Sequence, residues 1–239
     1  MNENRQNNNL VSISALTKNY GKFLALDDIN LDLPKGKIIG LLGPNGSGNT
    51  TLMKVLTGLI CNYKGEVLIN GYQPGVETKS VVSYLPDKPY FASWMRPVDI
   101  IKMFEDFYKD FDKEKMMSML QNLELDVNKK IKTMSKGMIE KLQLCLVMSR
   151  KALLYVLDEP LAGVDPATRD YILDTIIKNY NPEGTILIST HLINDVENIF
   201  DSVIFIKNGK ITLFEDVDNI KEKYDKSINE LFKEEYKCF

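Results

Sequence analysis

The first third of the chain carries short apolar runs with the spacing of β-strands. Apolar residues alternate with Asn30 and Asp32 over residues 29–33, as expected of a strand with one buried face. Residues 37–42 are almost continuously apolar, which predicts a strand buried on both faces. Further strands are predicted at residues 10–13, 24–33, 66–69 and 81–85.

From Pro97 onward the apolar period becomes that of a helix. Pro97 suits a first helical turn, and helical spacing continues in segments at residues 97–108, 116–123 and 135–147. Strands and helices then alternate, and this alternation predicts a mainly parallel sheet flanked by helices. The predicted strands are residues 153–157, 185–189, 203–206 and 210–213, and the predicted helices are residues 166–178, 192–200 and 216–237.

A glycine-rich stretch joins the strand at residues 37–42 to a helix predicted at residues 50–59. It has the spacing of a phosphate-binding loop, G-x-x-x-x-G-K-[ST]. It consists of Gly43, Pro44, Asn45, Gly46, Ser47, Gly48, Asn49, Thr50 and Thr51. Inward-facing backbone N–H groups and the helix N-terminus form an anion site, and the Thr50 hydroxyl would contact a magnesium ion. The loop predicts binding of a nucleoside triphosphate with Mg²⁺ rather than a turn that binds nothing.

Asn49 stands where this motif requires lysine. The lysine ammonium contacts the β- and γ-phosphates, whereas asparagine is short and neutral. A charge-assisted hydrogen bond contributes roughly 1.5–3 kcal/mol, so ATP binding should be weaker. Hydrolysis should suffer more, because charge neutralisation is most of what such a site contributes to phosphoryl transfer.

Further candidate residues follow two of the predicted strands. Asp158 and Glu159 end the strand at residues 153–157, where buried charge needs a partner. We expect Asp158 to hold Mg²⁺ and Glu159 to polarise the water that attacks the γ-phosphate. His191, the only histidine, follows the strand at residues 185–189. It is either a structural residue or a contact of the γ-phosphate or attacking water.

Composition excludes several classes of protein. The 239 residues have 44% apolar content and a net charge of −3, so the basic balance of a nucleic-acid binder is missing. No apolar run reaches the roughly 18 residues of a membrane span. Cys61, Cys145 and Cys238 lack metal-ligand spacing. Residues 1–9 are polar and are expected to form a disordered tail.

The ordered motifs resemble the ATP-binding subunits of bacterial ABC transporters over about residues 10–215. Residues 134–138, which include Ser135 and Gly137, match the family's LSGGQ signature loosely, and residues 161–165 match its D-loop, ending at Asp165. Tyr20 stands where the family stacks an aromatic ring on adenine. The resemblance implies an α/β P-loop NTPase core with an N-terminal antiparallel β region and a helical insertion. The implied divisions are a tail at residues 1–9, the β-rich and P-loop part at 10–96, the helical subdomain at 97–150, the rest of the core at 151–215 and a helical tail at 216–239.

The resemblance also implies a way of working. Members of this family form head-to-tail dimers in which the phosphate loop of one subunit and the signature of the other enclose ATP. Ser135 and Gly137 would then meet the phosphates held by the opposite subunit, and the Asp165 segment would lie at the same interface. Hydrolysis drives a separate permease from the cytoplasmic face of the membrane. The motifs resemble exporter subunits, while the substrate and the choice between homodimer and heterodimer stay open.

Other positions differ from the family pattern or leave alternatives. Lys136 and Met138 replace the signature's first glycine and its glutamine. Asp87 lies where the family places a glutamine, and it either binds Mg²⁺ or water or is an ordinary surface acid. Tyr90, Phe91 and Trp94 either receive a permease helix or belong to the core of the helical insertion.

Two alternative functions remain. A regulatory subunit would bind ATP without turnover, with Asn49 as its natural residue. A member of the family acting on DNA or ribosomes is disfavoured by the single cassette and the acidic balance. The retained Asp158, Glu159 and His191 favour an ATPase with a single recent or deliberate change at Asn49.

Overall fold

The computed structural model describes residues 9–236. The strands are β1 (Asn9–Tyr20), β2 (Phe23–Pro34), β3 (Ile38–Leu42), β4 (Lys64–Ile69), β5 (Val82–Leu85), β6 (Leu154–Asp158), β7 (Thr185–Ser189), β8 (Ser202–Lys207) and β9 (Lys210–Asp216). The α-helices are α1 (Asn49–Leu56), α2 (Val76–Lys79), α3 (Pro97–Phe107), α4 (Lys113–Asn122), α5 (Lys136–Met148), α6 (Pro166–Asn179), α7 (Ile193–Val196), α8 (Val217–Tyr224) and α9 (Ile228–Glu235). Short 3₁₀ turns cover Ile131–Thr133 and Glu197–Ile199.

Two sheets organise the fold. The smaller is antiparallel with the order β2-β1-β4, and the larger has the order β5-β6-β7-β3-β8-β9. Within the larger sheet all neighbours are parallel except β8 and β9. The predicted α/β class, with an antiparallel β region before a mainly parallel sheet, is confirmed. Because β3, β6 and β7 are parallel neighbours, the segments that follow them meet at one edge of the sheet.

Two apolar clusters cover the two faces of the larger sheet. One contains β1, β2 and α1 side chains packed against Ile39, Leu41 and Val156. The other joins the opposite face to α3, α4 and α5, whose residues Phe104 and Leu142 share a cluster with Tyr155. The helical insertion therefore packs directly onto the sheet that carries the phosphate loop.

Several predicted boundaries are wrong at the ends. Strand β1 extends over Asn9–Tyr20 rather than residues 10–13, because it pairs with β2 on one side and β4 on the other. Asn9, placed in the tail by the sequence, begins this strand, and the rest of the predicted tail lies outside the described residues. Helix α1 ends at Leu56 rather than at residue 59, since Gly58 takes a φ of +69°.

Two predicted helices are interrupted. The helix predicted at residues 192–200 ends as α7 at Val196 and a 3₁₀ turn, and Phe200 is extended, with its ring against Gly40. The helix predicted at residues 216–237 is two helices. Asp225 is left-handed with φ of 51°, and Ser227 then caps α9 by accepting from the Glu230 N–H at 3.2 Å.

Candidate functional site

A cavity of about 280 Å³ opens at the edge of the sheet where β3, β6 and β7 end. All nine residues of the predicted phosphate loop line it, and so do three acids, Asp87, Asp158 and Glu159. Phe23, Ala25 and Ser189 complete the lining. The fold thus brings the loop together with Asp158 and Glu159, which come more than 100 residues later in the sequence.

The loop is shaped for close backbone approach. Gly48 has a φ of +118°, and a Cβ there would lie 2.7 Å from the Ala25 carbonyl oxygen. A Cβ on Gly43 would collide with the Ser47 hydroxyl and the Ile206 carbonyl. The Ser47 hydroxyl oxygen is itself buried without a hydrogen-bond partner. Glycines and an unsatisfied polar atom at this edge fit a loop that wraps a polar ligand.

The Asn49 side chain is turned toward its own loop. Its Nδ2 lies 3.5 Å from the Gly43 carbonyl oxygen, and its Oδ1 is buried without a partner. Among the described residues, the cavity lining contains no lysine or arginine. An anion in this cavity would therefore be bound by backbone N–H groups, because the lining supplies no side-chain cation.

Asp158 is the buried acid of the cavity. Its Oδ1 accepts a hydrogen bond of 2.6 Å from the Ser189 hydroxyl, whereas Oδ2 is buried without a partner. Burial raises the pKa of this carboxyl, and the nearby hydroxyls of Ser189 and Thr50 oppose the rise. An oxygen ligand with one unsatisfied atom beside the Thr50 hydroxyl fits a hard cation such as Mg²⁺.

Glu159, which lines the cavity, pairs with His191, which lies outside the lining. His191 Nδ1 lies 2.9 Å from Glu159 Oε2. Burial raises the pKa of Glu159, and the hydrogen bond with His191 opposes that rise. The Glu159 backbone is left-handed, with φ of 51°, and its N–H donates to the Ser189 hydroxyl oxygen at 3.0 Å. Such strain in a non-glycine residue is typical of a functional position.

Five predicted site residues do not line this cavity, and one of them is His191, which reaches it only through Glu159. Ser135 is the exposed N-cap of α5 and accepts from the Met138 N–H at 3.2 Å, with Gly137 in the same first turn. Asp165 caps α6, and hydrogen bonds from Thr168 hold the pKa of its carboxyl below the usual range. Tyr20 is exposed at the hairpin between β1 and β2.

Sequence reasoning missed three residues of the lining, Phe23, Ala25 and Ser189. Phe23 pairs with Tyr20 across the hairpin and reaches the cavity, so an aromatic residue three positions after Tyr20 was the available indication. Ser189 is the last residue of β7 and bridges Asp158 and Glu159 through its hydroxyl. Polar residues that end buried parallel strands are the pattern that would have identified it.

A second, mostly apolar groove of about 870 Å³ lies beside the first cavity and shares Asp87 with it. Tyr90, Phe104 and Phe107 contribute its aromatic wall, and Arg150 lies in its lining. Outside this lining, Trp94 is 68% exposed. Phe91 instead packs against the apolar core. The aromatic segment is therefore divided between core and surface.

Residues 9–236 show neither a metal-binding cluster of side chains nor a membrane-spanning helix. No cluster of three or more His, Cys, Asp or Glu side chains there could hold a metal ion. None of the helices in this part of the chain has the length and apolar content to cross a membrane.

The phosphate loop, the buried acid and the parallel sheet define a P-loop nucleotide-binding protein. Residues 26–162, more than half of the chain, match the family model described as "ABC transporter". The chain belongs to this family, as one of its ATP-binding subunits.

Relatives and a solved structure agree with this membership. The chain is 30% identical over 225 residues to "Lantibiotic transport ATP-binding protein SrtF" of Streptococcus pyogenes, covering 92% of this chain and 97% of that protein. It is 30% identical over 208 residues to "SkfA peptide export ATP-binding protein SkfE" of Bacillus subtilis (strain 168), covering 84% and 87%. A solved "ATP binding subunit of ABC transporter" superposes with a TM-score of 0.85 at 26% identity, covering 95% of this chain and 100% of that one.

Proposed function

We propose that this chain binds ATP in a head-to-tail dimer and drives export through a separate membrane permease, from the cytoplasmic face of the membrane. The carrying observation is the cavity in which the phosphate loop meets buried Asp158 and Glu159, with His191 paired to Glu159 from outside the lining. The similarity to SrtF and SkfE supports transport out of the cell. A peptide is the substrate class that these two names suggest.

Each residue of the site has a chemical task in this proposal. Backbone N–H groups of the loop hold the phosphates. Thr50 and Asp158, with Asp87 nearby, would hold Mg²⁺, which neutralises phosphate charge when bound. Glu159 accepts the proton of the attacking water, and His191 orients Glu159 through the 2.9 Å contact.

Asn49 makes this an ATPase with an impaired loop. The missing ammonium lowers ATP affinity by about tenfold to 150-fold, from roughly 1.5–3 kcal/mol for a charge-assisted hydrogen bond. Turnover falls further, because developing charge on the transferred phosphoryl group is no longer neutralised from this position.

The test measures Mg-ATP binding and steady-state turnover of the chain as given and of Asn49→Lys. Asn49→Met is the matched control, because methionine adds length without charge. We expect tighter binding and faster hydrolysis only with lysine. If Asn49→Lys binds ATP no better than Asn49→Met, the loop does not use a cation here and the proposed impairment is wrong.

A second candidate is a regulatory subunit that binds ATP without turnover. The cation-free lining of the cavity favours it. In this case Asn49→Lys would tighten binding, yet neither form would hydrolyse ATP, even with the permease present. Turnover by Asn49→Lys would exclude it.

A further inference from the structure

The phosphate cavity is lined by acidic side chains, and a bound triphosphate would add further negative charge to it. Asp87, Asp158 and Glu159 line it, and no lysine or arginine does so among the described residues. A nucleoside triphosphate brings several more negative charges into this space. Mg²⁺ offsets part of them, and a further cation is needed from outside the lining.

Lys136 is an exposed cation at the start of a helix. It is the first residue of α5, directly after Ser135, where the helix dipole disfavours positive charge. Its side chain is 69% exposed, and its one ion pair in the described structure, with Glu140, is 3.5 Å long. Glu140 is 19% exposed, and at 3.5 Å the pair holds the exposed ammonium only weakly.

The neighbouring D-loop segment leaves room for this ammonium. A Cβ at Gly163 would come within 2.6 Å of Lys136 Nζ, so the amino group occupies the space that a side chain would fill. Gly163 has a φ of +75°, which also favours glycine. The ammonium thus lies between the start of α5 and the segment that leads to α6.

We propose that Lys136 supplies, across the dimer, the phosphate-binding cation that Asn49 does not provide. The inference rests on the proposed head-to-tail dimer, in which the start of α5 faces the phosphates held by the opposite subunit. The long lysine stem reaches those phosphates beside the Ser135 hydroxyl, and the ammonium binds them as a point charge. The substitution at position 49 and the lysine in the signature are then two halves of one site.

Lys54 is the competing cation within the same subunit. Its charge lowers the pKa of Asp158, but its side chain lines the apolar groove rather than the phosphate cavity. Lys54→Met therefore serves as the test of a cation supplied in cis.

The experiment measures the ATP concentration that half-saturates dimer formation, by light scattering with Mg-ATP. Lys136→Gln and Lys136→Arg are compared in the chain as given and in Asn49→Lys. The control is Lys132→Gln, an exposed lysine four residues earlier. We expect Lys136→Gln to raise the required ATP concentration by about tenfold or more in the chain as given. The increase should stay below about threefold with Asn49→Lys, while Lys136→Arg and Lys132→Gln have little effect.

Mixed dimers separate action in trans from action in cis. A tagged Asn49→Lys chain is combined with a differently tagged Lys136→Gln chain. If Lys136 acts across the dimer, each of the two sites keeps one cation and the mixed dimer forms as readily as the unmodified one. If Lys136 acts within its own subunit, the Lys136→Gln protomer has no phosphate-binding cation and the mixed dimer is weakened.

Three results would overturn the inference. They are an equal effect of Lys136→Gln in both backgrounds, a weakened mixed dimer, and the same loss with Lys54→Met. Each of these leaves ATP-dependent dimerisation by Asn49→Lys intact, so the proposed function survives. If Asn49→Lys forms no dimer with ATP at all, the proposed function fails and the role of Lys136 fails with it.

Discussion

Asp158 is a buried carboxylate with one oxygen atom satisfied and the other not. Oδ1 accepts from Ser189, and Oδ2 has no partner. Because burial raises the pKa of this carboxyl, its ionised form is disfavoured in the folded protein. A carboxyl with a raised folded pKa contributes stability at pH below its unfolded pKa, and loses that contribution as pH rises through its folded pKa. Without ligand at neutral pH, the ionised Asp158 carboxylate therefore lowers the stability of the folded protein.

We predict that Asp158→Asn stabilises the ligand-free protein at neutral pH. Removing a buried unpaired charge should add about 1–3 kcal/mol to the free energy of unfolding, or roughly 2–10 °C in melting temperature. The gain should disappear at pH below about 4, where the carboxyl is protonated in both states. Thermal unfolding from pH 3.5 to 8 measures this. The same variant should lose the further stabilisation that Mg-ATP gives, and a variant stabilised by Mg-ATP as before would contradict the assignment.

Glu159 and His191 give a second prediction at the scale of residues. His191 lowers a Glu159 pKa that burial raises, so His191→Gln should move that pKa upward. As general base, Glu159 must be ionised, and the acid limb of the turnover profile should therefore shift to higher pH. The measurement is the pH dependence of kcat for His191→Gln in the Asn49→Lys background. A slower enzyme with an unshifted acid limb would mean that His191 acts on the phosphate rather than through Glu159.

At the scale of elements, the sequence predicted those helices and strands that show a clear apolar period. It missed the features that depend on tertiary contacts. The buried strands β3, β6 and β7 have continuous apolar runs, so their positions and the loops after them were predictable. Helix α2 has only 4 residues, too few to show a period. The route of Phe23 into the cavity depends on the pairing of β1 and β2, which no local pattern specifies. The contact of Asn49 with Gly43 and the position of Lys136 beside Gly163 likewise became visible only in three dimensions.

Arg150 links elements that are distant in sequence. It is 2% exposed, pairs with Asp110 at 3.0 Å, and donates to the carbonyl oxygens of Val82 at 2.6 Å and Ser80 at 2.8 Å. Its guanidinium also lies 3.9 Å from the centre of the Tyr108 ring. The residue thus fixes the end of α5 against the start of β5 and the loop after α3. This arrangement also shapes one wall of the apolar groove.

We predict that Arg150→Lys destabilises the fold by about 3 kcal/mol, because a lysine cannot keep the planar fork of donors and leaves buried carbonyls unpaired. Urea unfolding measures the loss. Lys151→Met, at the exposed neighbouring position, is the control and should change stability by less than about 0.5 kcal/mol. Equal effects of the two variants would show that the buried contacts contribute little.

For the whole molecule, the important relation is between the two cavities. Asp87 lines both, and Pro86 before it accepts a hydrogen bond of 3.4 Å from Gln143 on α5. A helix docked in the groove would therefore touch the segment that reaches the phosphate site. We propose the groove as the docking position of the permease, since its wall is apolar and aromatic and Phe107 is 77% exposed.

We predict that Phe107→Asp releases the protein from membranes that contain its permease. A charge in the centre of an apolar contact should cost roughly 2 kcal/mol or more, about 30-fold in affinity. Trp94→Ala, outside the groove lining, should weaken association less. Phe214→Asp is the matched control, because Phe214 is an exposed aromatic residue on β9 away from the groove. The readout is the fraction of protein that sediments with membranes, alongside ATP binding and thermal unfolding. Release by Phe107→Asp with intact ATP binding supports docking in the groove, and equal sedimentation of Phe107→Asp and Phe214→Asp would move the permease contact elsewhere.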